Sequence, residues 1–111
     1  MVQVPNAERA ILDIRKIAEY CLSPVHPRGR HKARVFRDAL ELNQDDAGWL
    51  QAALLDGLRR GEAIELSSDD LGGRWRVDVP VTRHGKSAVV RTVWIVRSGE
   101  QGPRFVTCWV L

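Results

Sequence analysis

Hydrophobic positions change period once along this chain, near residue 62. Before that point they recur at helical spacing; after it they alternate. Ile14, Ile17, Ala18 and Leu22 form one stripe at i, i+3, i+4. Asp13 stands where an N-cap belongs, and Ser23-Pro24 closes the run. Pro24 to Arg30 carries two prolines and a glycine, so it reads as a rigid, turned loop. Ala33, Phe36 and Leu40 then mark one face of a short helix over Lys32–Leu40. Asn43 caps a third helix, with Asp45 and Asp46 in its first turn favouring the helix dipole. Trp49, Ala53, Leu54 and Leu58 are expected to face inward, and Arg59-Arg60-Gly61 ends that helix near Arg60. Met1 to Ala10 has no clear period and reads as a short strand or an arm.

The second half reads as strands. Glu62–Leu66 is a short one. From Gly73 to Thr82 the chain alternates strictly, with Trp75, Val77, Val79 and Val81 on one face and Arg74, Arg76, Asp78 and Thr82 on the other. Arg83-His84-Gly85-Lys86 is a hairpin turn. Ser87–Arg97 is a long strand, Ser98–Pro103 a turn, and Arg104–Leu111 a final strand. The expected fold is α+β: three N-terminal helices packed on a four-stranded antiparallel β-meander. One domain over 1–111 is expected, helical over about 13–60 and sheet over about 62–111.

Composition changes this picture little. Apolar residues make up 44% and charged residues 28%, ordinary globular values. Of the four tryptophans, Trp75 is the expected core member by alternation. Cys21 and Cys108 have no metal-ligand spacing and sit in apolar runs, so both read as buried thiols of a reducing compartment. No leader is read at the start, and no apolar run approaches the roughly 20 residues a bilayer span needs. A cytoplasmic location is expected, with no membrane partner and no cofactor.

Charge is informative through its placement. The net charge of +3 permits nucleic-acid binding without requiring it. Pro24 to Arg37, however, holds five cations and no acid, whereas Glu41 to Asp70 holds eight acids against two arginines. The densest stretch is His26-Pro27-Arg28-Gly29-Arg30-His31-Lys32-Ala33-Arg34, with two histidines, three arginines and a lysine in nine residues. Histidine changes charge near neutral pH, and arginine and lysine bind phosphate. Metal-free RNA cleavage needs a base for the 2′-hydroxyl, an acid for the leaving oxygen and a cation for the phosphorane. His26, His31 and Lys32 are candidates for these roles, and Arg28, Arg30 and Arg34 for gripping neighbouring phosphates. The plainer alternative makes His26-Pro27 a turn whose imidazole ties the loop backbone, and the arginines a solvated face.

Two strand residues join the candidates. Arg91 sits mid-strand among apolar neighbours, where arginine is unusual unless it is paired or works at a site; Asp78 on the adjacent strand is the obvious structural partner. Thr107 interrupts an apolar strand and offers a hydroxyl, although β-propensity alone also explains it. His84 and Lys86 belong to a turn, where such residues are usually exposed and idle. Metalloprotease HExxH, paired CxxC, Walker-type and G-x-S-x-G motifs are absent, so metal, nucleotide-hydrolase and serine-hydrolase chemistry lose ground.

Several segments carry a resemblance. They are Lys16-Ile17-Ala18-Glu19-Tyr20-Cys21-Leu22, His26 through Phe36, Gly73-Arg74-Trp75, Arg91-Thr92-Val93-Trp94-Ile95-Val96 and Pro103-Arg104-Phe105-Val106-Thr107-Cys108-Trp109. Across nearly its whole length the chain resembles a bacterial domain family of unknown function, found as small stand-alone proteins and as C-terminal modules of polymorphic toxins. The helices-then-sheet order is more distantly similar to the barnase–EndoU–colicin–RelE group of RNase toxins. That likeness implies metal-independent RNA cleavage restrained by an antitoxin or immunity protein. It also implies a basic cluster on the helical side facing a polar residue on the sheet: His26, His31 and Lys32 facing Arg91 and Thr107.

Two functional classes follow. One is a ribonuclease toxin. The other is a non-catalytic binding or regulatory module that docks an acidic protein or nucleic acid through the basic loop 26–37. Leu111, apolar at the end of the last strand, leaves a sheet edge that a second copy would pair in a homodimer. The enzyme reading needs imidazole, guanidinium and hydroxyl within reach of one centre.

Overall fold

The computed structural model describes residues 2–111; Met1, the first residue of the N-terminal arm, lies outside the described residues. The protein is α+β, with helices on one face of a four-stranded antiparallel sheet of order β1-β2-β3-β4. The strands are β1 Ala63–Asp69, β2 Gly72–Arg83, β3 Lys86–Arg97 and β4 Arg104–Val110. Each pairs only with its neighbour in sequence, because every connection is a short turn. His84 and Gly85 have φ of 52° and 75°, the left-handed pair that a two-residue hairpin between twisted strands requires.

α1 spans Ile14–Lys16 and runs directly into a π-helical turn over Ile17–Cys21. Asp13 caps it as expected, its Oδ1 accepting from the Arg15 N–H at 2.9 Å. α2 spans Arg30–Leu40, two residues longer at its start than the apolar spacing indicates. α3 spans Ala47–Arg60 behind a 3-10 turn, Gln44–Asp46, which holds Asn43 and Asp46 in a reciprocal capping box.

α2 lies over β3 and β4, and α3 lies over β2. The core fills the space between the layers, with Ile17, Phe36, Leu40, Leu50, Leu54 and Leu58 meeting Val77, Val90, Trp94 and Phe105. At Gly57 the α3 backbone sits so close to Val79 that a Cβ would collide with the valine methyls. The inward set of α3 is Ala47, Leu50, Leu54 and Leu58, which corrects the expectation for Trp49: it is 40% exposed. Its ring instead lies beneath the Arg83 guanidinium, 5.2 Å from the centroid. Trp94, and not Trp75, is the fully buried tryptophan. The two are cross-strand partners on the helix-facing side, but Trp75 is only half-buried.

The second face of the sheet carries no layer among the described residues. Alternation places Arg74, Arg76, Asp78, Arg91, Val93, Ile95 and Trp109 on it. At one end of β4 the N-terminal arm adds a short parallel bridge, Ile11 to Arg104. Farther along, β4 is a free edge. It also contains a bulge: Phe105 pairs with Trp94 and Thr107 with Val93, leaving Val106 without a partner. No helix among the described residues is long and apolar enough to cross a membrane.

Candidate functional site

The basic loop and the sheet meet at one point. Lys32 leaves the first turns of α2, reaches over the β4 edge, and donates to the Thr107 hydroxyl at 2.9 Å. Two rings brace it. The Tyr20 centroid is 5.0 Å from the ammonium and the Trp109 centroid 5.4 Å. A cation between two aromatic faces has its stem desolvated and its charge fixed in place.

Three elements supply this arrangement. The π-turn carries Tyr20, and Lys16, one helical turn earlier, donates to the Phe105 carbonyl at 3.0 Å. The bulge at Val106 turns Thr107 towards the edge. The Gly29–Tyr20 contact sets the height of α2, since a Cβ at Gly29 would run into the Tyr20 carbonyl oxygen. On one side of Lys32 lies a depression of about 460 Å³ lined by Lys16, Tyr20, Lys32, Val106 and Thr107. On the other side a shallower one of about 480 Å³ is lined by His31, Lys32, Val35, Trp109 and Val110.

His26 is close but engaged. Its Nδ1 accepts from the backbone N–H groups of Arg28 and Gly29, each at 3.0 Å, and its ring meets Tyr20 edge-on at 4.7 Å. The imidazole therefore closes the loop that leads into α2, and the ring proton of its neutral form sits on Nε2. His31 is exposed, with no hydrogen-bond or ion-pair partner among the described residues, and shares the second depression with Lys32.

Arg91 makes no hydrogen bond to the Lys32–Thr107 pair. It lies on the uncovered face of the sheet, bound to Asp78 through two bonds of 2.9 and 3.0 Å. That fork, with Arg76 nearby, holds the Asp78 carboxyl below the usual carboxylate range and raises the Arg91 guanidinium. Arg91 is the register partner of Trp109, so its side chain stands beside the ring that braces Lys32, on the same face of the sheet. Arg28 is exposed on the loop. Arg30 and Arg34 fall on the opposite flank of α2 from Lys32, about 200° around a helix of 3.6 residues per turn. The run of cations in the sequence is thus two separate patches in space.

Beneath the junction lie Cys21 and Cys108, both free and fully buried. A hydrogen bond from Cys108, assisted by Lys32 and Thr107 against the cost of burial, lowers the Cys21 thiol to about 7. Cys108 is pushed well up by Cys21 and by its own burial. No cluster of three or more histidine, cysteine or acidic side chains suited to a metal ion occurs among the described residues.

Sequence reasoning did not single out Tyr20, Lys16 or Trp109 as lining residues. The signal for two of them was present: Lys16 and Tyr20 are four apart and share a helix face. Trp109 has no such signal, because only the packing of α2 on the β4 edge brings it to Lys32.

Fold and junction together define a two-layer α+β protein with a cationic cleft at the open edge of its sheet. The family described as "Domain of unknown function (DUF6883)" matches residues 3–111, and the chain belongs to it. No curated protein and no solved structure matches the chain.

Proposed function

We propose that this protein is a metal-independent ribonuclease whose site is the Lys32–Thr107 cleft. The observation that carries the reading is the 2.9 Å bond from the Lys32 ammonium to the Thr107 hydroxyl, across the helix–sheet junction and between two open depressions. A fixed cation beside a hydroxyl is suited to a phosphorane, whose added negative charge it stabilises without reorganising.

In this reading a 2′-hydroxyl loses its proton to a base and its oxygen attacks phosphorus. The 5′-oxygen leaves and takes up a proton, giving a 2′,3′-cyclic phosphate and a 5′-hydroxyl end. Lys32 and Thr107 hold the non-bridging oxygens. His31, unpartnered in the adjoining depression, is the proton carrier. His26 keeps its Nε2–H as a donor and otherwise positions the loop. Arg91, tied to Asp78, takes no part in the chemistry. Restraint by an antitoxin or immunity protein belongs to the same reading.

The test is cleavage of purified tRNA, mRNA and rRNA in the presence of a chelator, with growth measured on expression in a bacterial host. Wild type yields fragments with cyclic phosphate ends and inhibits growth, and Lys32→Ala does neither. RNA left intact by the wild-type protein overturns the reading.

A second reading, a non-catalytic binding module, draws on a specific observation. His26 Nδ1 is taken up by the loop backbone, and Nε and Nη2 of Arg91 are taken up by Asp78, so both candidate groups already have structural work. Tight RNA binding without cleavage would favour it.

A further inference from the structure

The other flank of α2 holds a groove that the cleavage site does not use. Its walls are Arg30, Arg34 and Arg37 on one side and Asn43, Gln44 and Asp45 on the other, over a floor of Leu22, Ala33 and Leu42. The space is about 330 Å³. Gln44 is held by donating to the Ala18 carbonyl at 2.7 Å, and Asn43 is fixed by its capping box with Asp46. One wall of the groove is therefore held in place, and the arginine wall facing it is not.

Its cations are unusually free. Neither Arg30 nor Arg34 has a side-chain hydrogen bond or an ion pair among the described residues, and Arg37 meets only the exposed Asp38, at 3.6 Å. The three occupy positions i, i+4 and i+7 of one helix, so like charges repel along a single stripe. Asp45 is the one acid in the lining. An anion in the groove would relieve that repulsion and accept the planar donor forks that arginine offers to phosphate.

We propose that this groove is a second phosphodiester site, holding phosphates that flank the one at Lys32. The inference rests on the ribonuclease reading and adds a requirement to it. A strand occupying both sites must cross the exposed side of α2, a helix roughly 10–12 Å across with its side chains. Only an RNA of several nucleotides spans that distance. A very short RNA reaches the Lys32 cleft alone.

The test is fluorescence anisotropy with labelled 2′-O-methyl RNAs of 3 and 12 nucleotides, which bind but cannot be cleaved by 2′-hydroxyl attack. Wild type is compared with Arg30→Ala/Arg34→Ala and with Arg34→Glu, all checked for folding by circular dichroism. Both variants should bind the 12-mer at least tenfold more weakly and leave 3-mer binding unchanged. The salt dependence of the double variant should be shallower by about 1.4 in log–log slope, at about 0.7 per neutralised phosphate of a single strand. Equal 12-mer affinity in wild type and variants overturns the proposal. So does failure of wild type to bind the 12-mer, or a polyglutamate peptide displacing it from the arginines more strongly than RNA does. Because no cleavage is read, arginine-dependent binding by a protein that cuts no RNA would sink the ribonuclease reading and leave this site standing.

Discussion

Trp94 donates its indole N–H to the Thr92 hydroxyl at 2.8 Å, two residues back on the same face of β3. The hydroxyl in turn donates to the Val77 carbonyl at 2.6 Å. Both side chains are fully buried, so this one oxygen satisfies a buried donor and binds β3 to β2.

Replacing Thr92 with valine keeps the shape and removes the oxygen. It strands the Trp94 N–H in the core, at a cost of about 1–3 kcal/mol. Urea denaturation should show a lower midpoint with an unchanged slope. An unchanged midpoint would show that the indole finds another acceptor.

At the cleft, Lys32→Ala should lower RNA cleavage by about 10²–10³-fold, the usual loss for one preorganised transition-state partner. Thr107→Val should lower it by about tenfold, corresponding to one neutral hydrogen bond. Gel-based rates on one purified RNA check both. A Thr107→Val protein slower than Lys32→Ala would reverse the order of importance given to the pair.

The imidazole of His26 serves the loop before it serves any substrate. His26→Ala leaves the Arg28 and Gly29 N–H groups without their acceptor and should lower stability by about 1 kcal/mol. His26→Asn, whose side chain can accept from backbone two residues on, should recover most of that. Thermal melts of the three proteins, together with their cleavage rates, separate a loop role from a catalytic one. Full stability with abolished cleavage in His26→Ala would return the residue to the chemistry.

Two aspartates have carboxyls held below the usual range. The side-chain and backbone bonds from Arg15 bring Asp13 down to about 2, and the Arg91 fork lowers Asp78. A carboxyl whose folded value is depressed contributes stability above its unfolded value, near 3.9, and loses it as pH falls through the folded one. The denaturation midpoint should therefore hold from pH 7 to 5 and fall between about pH 4 and 2 as these two protonate. Asp13→Asn/Asp78→Asn should flatten that fall. An equally steep fall in the double variant would assign it to other carboxyls.

Much of this architecture was legible in the residues because it depends on local chemistry. The Asp13 cap, the alternation of β2 and the His84-Gly85 turn each follow from a few neighbouring side chains. Trp49 looks inward in the sequence because Ala53, four residues on, completes a plausible stripe with it. The 3-10 turn at Gln44–Asp46 instead leads into a helix whose Ala47–Leu50–Leu54–Leu58 line faces inward. Trp75 and Trp94 both sit on the inner face by period, and only the position of the helices above them decides which is covered. The candidate site shows the same division. Lys32 and Thr107 were visible as residue types, but their contact spans 75 positions and depends on the β4 bulge. The arginines around Lys32 look like a single patch in one dimension, and the helix separates them.

The unpaired Val106 also decides what the last strand can be. Phe105 and Cys108 are three apart, yet both point into the protein, which a regular pleat forbids. Removing that one residue would bring Phe105 and Cys108 two apart, the spacing at which a regular pleat points both side chains inward, so the core would keep its phenyl ring and thiol and lose only the bulge. The extra residue therefore serves the strand's edge more than its core: a valine-to-threonine change at this exposed position should be absorbed, and a one-codon deletion should leave the domain folded while disturbing the Lys32–Thr107 contact.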